Sequence, residues 1–155
     1  MDGFNKVKTI AIGSDHGGYD TKEFLKKYLT TLGYKIVDVG IEKKERCDYP
    51  DYALKVALKV KNGDCDRGIM IDGAGIGSSM VCNKVRGIRA ALCYDEKTAI
   101  NSRAHNNANV LTLGGPLHSS DEIARIVKVW LETEFEGGRH WPRINKMMAI
   151  EKKYL

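Results

Sequence analysis

Short apolar runs alternate with longer amphipathic ones along almost the whole chain, and this alternation constrains the fold more than any other feature. VKTIAI (7–12), YKIVDV (34–39), RGIMI (67–71), IRAALCY (88–94) and VLTL (110–113) have the length and β-branched content of buried strands. Between them, Phe24, Leu25, Tyr28, Leu29 and Leu32 recur at helical spacing, in a helix that Asp20 can cap and Gly33 can stop. Leu54, Val56, Ala57, Leu58 and Val60 form a second helical face, closed by Asn62-Gly63. A third helix is expected to begin near Gly73–Gly77, a fourth over Glu96–His105 and a fifth after Ser119-Ser120-Asp121-Glu122. The fifth is broken by Gly137-Gly138, and a final helix covers about 144–155, with its pattern clearest from Met147 to Tyr154. Strands that alternate with helices through short links predict one α/β domain over 1–155: a five-stranded parallel sheet covered on both faces. In such open sheets ligands bind beyond the carboxyl ends of the strands. The informative residues are therefore Gly13–His16, Asp72–Gly75, Asp95 and Gly114-Gly115.

Several function classes are disfavoured at once. No run approaches about 18 consecutive apolar residues, the length of a membrane span. The N-terminal residues lack a signal-peptide layout. Cys47, Cys65, Cys82 and Cys93 show no C-x-x-C spacing and fit free thiols in a reducing cytoplasm. The net charge of +5 comes from interleaved signs rather than a basic stripe. It therefore points away from nucleic acid and toward a small anionic ligand. The four histidines have no H-x-x-x-H or H-E-x-x-H spacing, so no metal site is predicted.

Four segments can carry chemistry. Ser14-Asp15-His16-Gly17-Gly18 puts two titratable groups and two glycines directly after the first strand; otherwise it is a capped turn, with Asp15 or Asp20 as the cap. Asp72-Gly73-Ala74-Gly75-Ile76-Gly77 can present N–H groups toward an anion. It lacks the Gly-Lys-Ser/Thr end of a P-loop, and its third glycine comes one residue early for a dinucleotide fingerprint. Ser102–Asn107 places His105 and Asn106 at the end of a helix, where capping is the alternative. Arg139 and Arg143, four residues apart after a double glycine, can face one anion together.

Taken together, GSDHGGY (13–19), DYPDYA (48–53), GAGIGSSMVCNKVRGIRAAL (73–92), SRAHNNANVL (102–111), FEGGRH (135–140) and Arg143 resemble the type B ribose-5-phosphate and galactose-6-phosphate isomerase family. The resemblance implies a Rossmann-like three-layer α/β/α protomer that forms a homodimer or a dimer of dimers with shared active sites. It places the final helix on the partner subunit. It implies a cytoplasmic enzyme of pentose phosphate metabolism that interconverts a phosphorylated aldose and ketose through an enediolate, without cofactor. Ribose 5-phosphate to ribulose 5-phosphate is the leading reaction. Carried over by motif, Gly73, Gly75 and Gly77 supply N–H groups to the enediolate oxygen. His105, with Asn106 beside it, opens the sugar ring; Asp15 and Tyr49 contact sugar hydroxyls; His16, Arg139 and Arg143 hold the phosphate.

Three positions depart from the family pattern. Asp72 stands where many members have the cysteine that acts as base, Ala74 where they have threonine, and Pro116 where an arginine is common. A carboxylate can serve as the proton-transfer base, so Asp72 is expected in that role; the alternative is that it caps the following helix. The departures also leave room for another four- to six-carbon sugar phosphate or a catalytically silent sugar-phosphate binder. A nucleotide-binding regulatory domain is a further, weaker alternative.

Overall fold

The computed structural model describes residues 6–155; the first five residues of the N-terminal stretch read above for a signal-peptide layout lie outside the described part. Five strands, β1 (Thr9–Ser14), β2 (Lys35–Asp38), β3 (Arg67–Asp72), β4 (Ala90–Leu92) and β5 (Val110–Gly114), form one parallel sheet in the order β2-β1-β3-β5-β4. The helices are α1 (Tyr19–Thr31), α2 (Tyr49–Lys61), α3 (Ile76–Cys82), α4 (Glu96–Ala104), α5 (Ser120–Glu132) and α6 (Trp141–Tyr154). The expected three-layer α/β/α architecture is the one observed.

Period-two alternation sorts the strand residues between two cores. Ile10, Ile12, Ile69, Ile71, Leu111 and Leu113 pack with Leu25 and Leu29 of α1, Ala99 of α4 and Trp130 of α5. Ala11, Met70 and Val110 face the other way, onto Ala53, Val56 and Ala57 of α2 and Cys82 of α3. β1 connects outward to β2 on one side and pairs with β3 on the other. The order of strand connection therefore reverses between β1 and β3, and a crevice opens beyond their carboxyl ends.

α5 ends at Glu132 rather than at Gly137-Gly138, and four other boundaries differ from expectation for local reasons. Gly18, not Asp20, is the N-cap of α1; Asp20 lies in the first turn and pairs with Lys44 at 2.6 Å. α2, expected from its pattern over Tyr52–Lys61, starts three residues earlier, at Tyr49, with Pro50 in its first turn. β4 is shorter than 88–94, because the Arg89 and Ala90 N–H groups go to the side chains of Asn109 and Asn83. α6 begins at Trp141, where Pro142 suits a first turn and a 3-10 turn over Gly138–His140 leads in. Only Ile144 of α6 is buried, while Met147, Ile150, Tyr154 and Leu155 are exposed. They border a groove of about 820 Å³ that also takes in β4 and α4. No helix of the described residues is long and apolar enough to cross a membrane. All four cysteines are unpaired.

Candidate active site

Two groups of site residues emerge, and no hydrogen bond or ion pair joins them among the described residues. The first lies at the carboxyl edge of β1 and β3. Asp15 follows β1 in extended conformation, and its Oδ1 accepts the Gly18 N–H at 3.1 Å, capping a 3-10 turn over His16–Gly18. The residue as a whole is only 6% exposed. Burial pushes it above the usual carboxylate range; the Gly18 N–H opposes the rise and the nearby Asp72 charge adds to it. His16 Nδ1 accepts the Cys47 N–H at 3.3 Å, so the neutral ring carries its proton on Nε2. Asp15, His16 and Tyr49 line one cleft with Arg46, Cys47, Asp48 and Asp51.

The glycine loop after β3 is organised by Asp72, which is 4% exposed. Its Oδ1 accepts the N–H groups of Ala74, at 3.0 Å, and of Gly75. Its Oδ2 accepts Ser78 N–H at 3.2 Å and Ser78 Oγ–H at 2.6 Å. Four donors occupy the carboxylate, so Asp72 performs the capping that the sequence also allowed. This geometry corrects the expectation for Gly75, whose N–H is committed to Asp72. Gly75 matters sterically instead. Its φ is +76°, and a Cβ there would sit 2.6 Å from Leu92 Cδ1 and 2.9 Å from the Leu113 carbonyl carbon. The N–H groups of Gly73, Ile76 and Gly77 have no protein acceptor among the described residues. Ile76 was not singled out by sequence, since a backbone donor leaves no trace in residue type. Tyr49 lies directly over Gly77, where any Cβ would run into the phenol.

The second group lies where α4 ends and α6 begins. Asn101 Nδ2 donates to His105 Nδ1 at 3.0 Å, placing the neutral ring's proton on Nε2. Asn106, beside His105, donates to Asn101 Oδ1 at 3.3 Å. The His105 ring stacks on buried His140, with centroids 4.3 Å apart and planes 16° apart. Glu136 Oε2 lies 3.2 Å from His140 Nε2 and 4.0 Å from His105 Nε2. Arg139 Nε donates toward His140 Nε2 at 3.4 Å, and Arg143 Nη1 donates to the Arg139 carbonyl at 3.2 Å. The ligand-capable atoms of His105, Glu136 and His140 lie within 4.8 Å of one another. Stacked rings cannot both hold one ion in their planes, so the cluster is built as a hydrogen-bonded stack rather than a convergent ligand set. Sequence reasoning gave Glu136 and His140 no role. Their four-residue spacing was visible, but the 34 residues between His105 and His140 are bridged only by the fold.

Cys82, beside the glycine loop in sequence, is no substitute base: burial and the Asp72 charge push its thiol up to about 12.

A doubly wound parallel sheet, with carboxyls and free loop N–H groups at its switch point and cationic side chains at a helix corner, defines the class: an α/β protein built to bind a small anion. Within that class the chain belongs to the ribose/galactose isomerase family, whose model matches residues 10–147. It is 42% identical over 147 residues to ribose-5-phosphate isomerase B of Escherichia coli, covering 95% of this chain and 99% of that one. The structure of ribose-5-phosphate isomerase B from Clostridium thermocellum superposes with a TM-score of 0.93 at 50% identity, covering 95% of this chain and 99% of the other. The Mycoplasma genitalium enzyme, solved with bound ribulose 5-phosphate, superposes with a TM-score of 0.89 at 45% identity, covering 94% and 97%.

Proposed function

We propose that this protein is an aldose–ketose isomerase that converts ribose 5-phosphate to ribulose 5-phosphate through an enediolate. The observation that carries the proposal is the set of uncommitted N–H groups at Gly73, Ile76 and Gly77, facing the same edge as Asp15, His16 and Tyr49. Such donors need no reorganisation when negative charge develops on the sugar oxygen. His105 opens the ring through Nε2, with Asn106 beside it. Tyr49 contacts sugar hydroxyls, and His16, Arg139 and Arg143 hold the phosphate. The proton-transfer base is one of the two carboxyls at this edge, Asp72 or Asp15. Relatives named for the same reaction, one of them holding its product, support the substrate assignment.

The two groups of residues make one site if each is completed by the other from a second copy of the chain. A homodimer, or a dimer of dimers, is therefore part of the proposal, with α6 packing on the partner through its exposed apolar side chains. The enzyme acts in the cytoplasm on a small-molecule substrate.

The test is incubation with a panel of four- to six-carbon sugar phosphates in deuterated water. The isomerase exchanges the C1 or C2 proton of its substrate. The capped Asp72 and the replacements Ala74 and Pro116 favour a second reading, a silent sugar-phosphate binder. Such a protein gains thermal stability from the ligand and exchanges nothing.

A further inference from the structure

The two carboxyls at the sheet edge are in different chemical situations. Asp72 accepts from four donors, two in its own loop and two from Ser78 in the first turn of α3. Taking up a proton there would break the contacts that shape the loop. Asp15 uses one oxygen for the Gly18 N–H, and its other oxygen has no hydrogen-bond partner among the described residues. That oxygen is not sealed off: Ser14 Oγ is the sole buried side-chain polar atom without a partner among the described residues.

The position of Gly17 relates Asp15 to the loop donors. A Cβ on Gly17 would lie 3.3 Å from Asp15 Oδ1 and 3.3 Å from Gly73 N. The absence of a side chain at Gly17 keeps the space between Oδ1 of this carboxyl, the oxygen that also caps Gly18, and the first free N–H open. A base and an oxyanion donor flanking one small gap is the geometry that proton transfer next to a carbonyl requires.

We propose that Asp15, rather than Asp72, is the base that carries the proton between C1 and C2, and that Asp72 is a positioning residue that holds the glycine loop open for the enediolate. This rests on the isomerase reading and names the catalytic group within it. In the forward direction the Asp15 carboxylate takes the C2 proton of the open-chain aldose. The C2–H electron pair becomes the C1–C2 double bond, and the former carbonyl pair moves onto O1, facing the Gly73 N–H. The hydroxyl proton passes from O2 to O1. As the C2 carbonyl forms, C1 takes the proton back from the Asp15 carboxyl, which returns to carboxylate. Nothing is gained or lost, and no co-reactant is needed. The raised affinity of Asp15 for protons, from burial first and from the Asp72 charge, makes it a stronger base than an ordinary aspartate. The charged and titratable groups around it are His16 on its own turn, Asp72 on β3, and Arg46, Cys47, Asp48, Tyr49 and Asp51 at the start of α2.

The experiment compares wild type, Asp15→Asn, Asp15→Glu and Asp72→Asn for exchange of substrate C–H protons in deuterated water, alongside sugar-phosphate binding by thermal shift. Asp15→Asn keeps an oxygen for the Gly18 cap. It should fold and bind while exchange falls about 10²–10⁴-fold, the usual worth of a general base. Asp15→Glu should recover part of that loss. The acid limb of the wild-type rate profile should lie above the ordinary aspartate range and should survive in Asp72→Asn, whatever that variant's rate. A folded Asp15→Asn that exchanges within about tenfold of wild type overturns the inference. So does an acid limb that disappears with Asp72 instead. A wild type that exchanges no sugar phosphate overturns the isomerase reading itself, whereas a wild type that exchanges and an Asp15→Asn within about tenfold of it overturn the inference alone.

Discussion

The sheet edge and the α4–α6 corner hold comparable sets of polar side chains, but they are built differently. At the edge, Asp15 and Asp72 are almost fully buried, and Gly18, Gly75 and Gly77 beside them leave no room for a Cβ. At the corner, His105 and Glu136 reach solvent and the arginines bond to their own turn; the fixed part is the His140 ring beneath. Chemistry on a carbon needs donors placed to within a fraction of an ångström, whereas a phosphate tolerates longer, more mobile cations. The contrast fits a division of labour: proton transfer at the edge, ring opening and phosphate capture at the corner.

The sharpest way to separate the two regions uses the ketose. Ribulose 5-phosphate cannot close a furanose ring, because its O5 carries the phosphate. His105→Ala should therefore slow isomerisation of ribose 5-phosphate by about 10²–10⁴-fold. Exchange at C1 of ribulose 5-phosphate should fall far less. Equal losses in the two assays would mean that the corner also takes part in the proton transfer.

Mixing inactive variants asks whether the regions meet across subunits. Arg143→Ala alone should raise KM about 10²-fold or more for every phosphorylated substrate, through loss of a charged partner. Combined with Asp15→Asn chains after subunit exchange, it should restore about a quarter of wild-type activity at low substrate, since half the dimers then hold one intact site of two. Exchange verified by mass, with no recovery, would place both residues on the same chain's site.

A smaller effect tests rigidity. Gly75→Ala forces a side chain onto φ +76° against Leu92 and the β5 backbone, at a cost of about 1–3 kcal/mol. Gly138→Ala, at φ +52° in open space, should cost only about 1 kcal/mol. Calorimetry that ranked them the other way would contradict the edge as the stiffer region.

The smallest effect carries the most specific sign. A carboxyl whose affinity for protons is higher folded than unfolded makes the folded state bind more protons. Stability then falls as pH rises from the unfolded value through the folded one. At neutral pH that loss is complete, and Asp15→Asn removes its source. The variant should melt higher than wild type at pH 7 and lose that advantage in acid. A lower melting temperature at pH 7 would show that the charge at Asp15 stabilises the fold.

The strands and helices were legible because burial on both faces of a parallel sheet leaves β-branched runs such as Thr9–Ile12 and Ile69–Ile71. Element ends were less so. β4 starts late because the side chains of Asn83 and Asn109 take the N–H groups at its beginning, and α6 starts early because Pro142 suits a first turn that apolar spacing does not mark. In the site, the edge was legible wherever residue type carries the chemistry, as at Asp15, His16 and Tyr49. Where the backbone is the donor, glycine spacing named Gly73 and Gly77 but also Gly75, whose N–H is spent on Asp72. The His105–His140 stack joins separate segments and had no local signature.

The sheet order has a consequence for synthesis of the chain. β4 pairs only with β5, which is made about twenty residues later. A nascent chain released from the ribosome before Val110 can assemble β2, β1 and β3 but leaves β4 with nothing to join. Its three residues, Ala90-Ala91-Leu92, offer a foreign strand little to pair with. This brevity protects the protein during the interval when it is most exposed to aggregation.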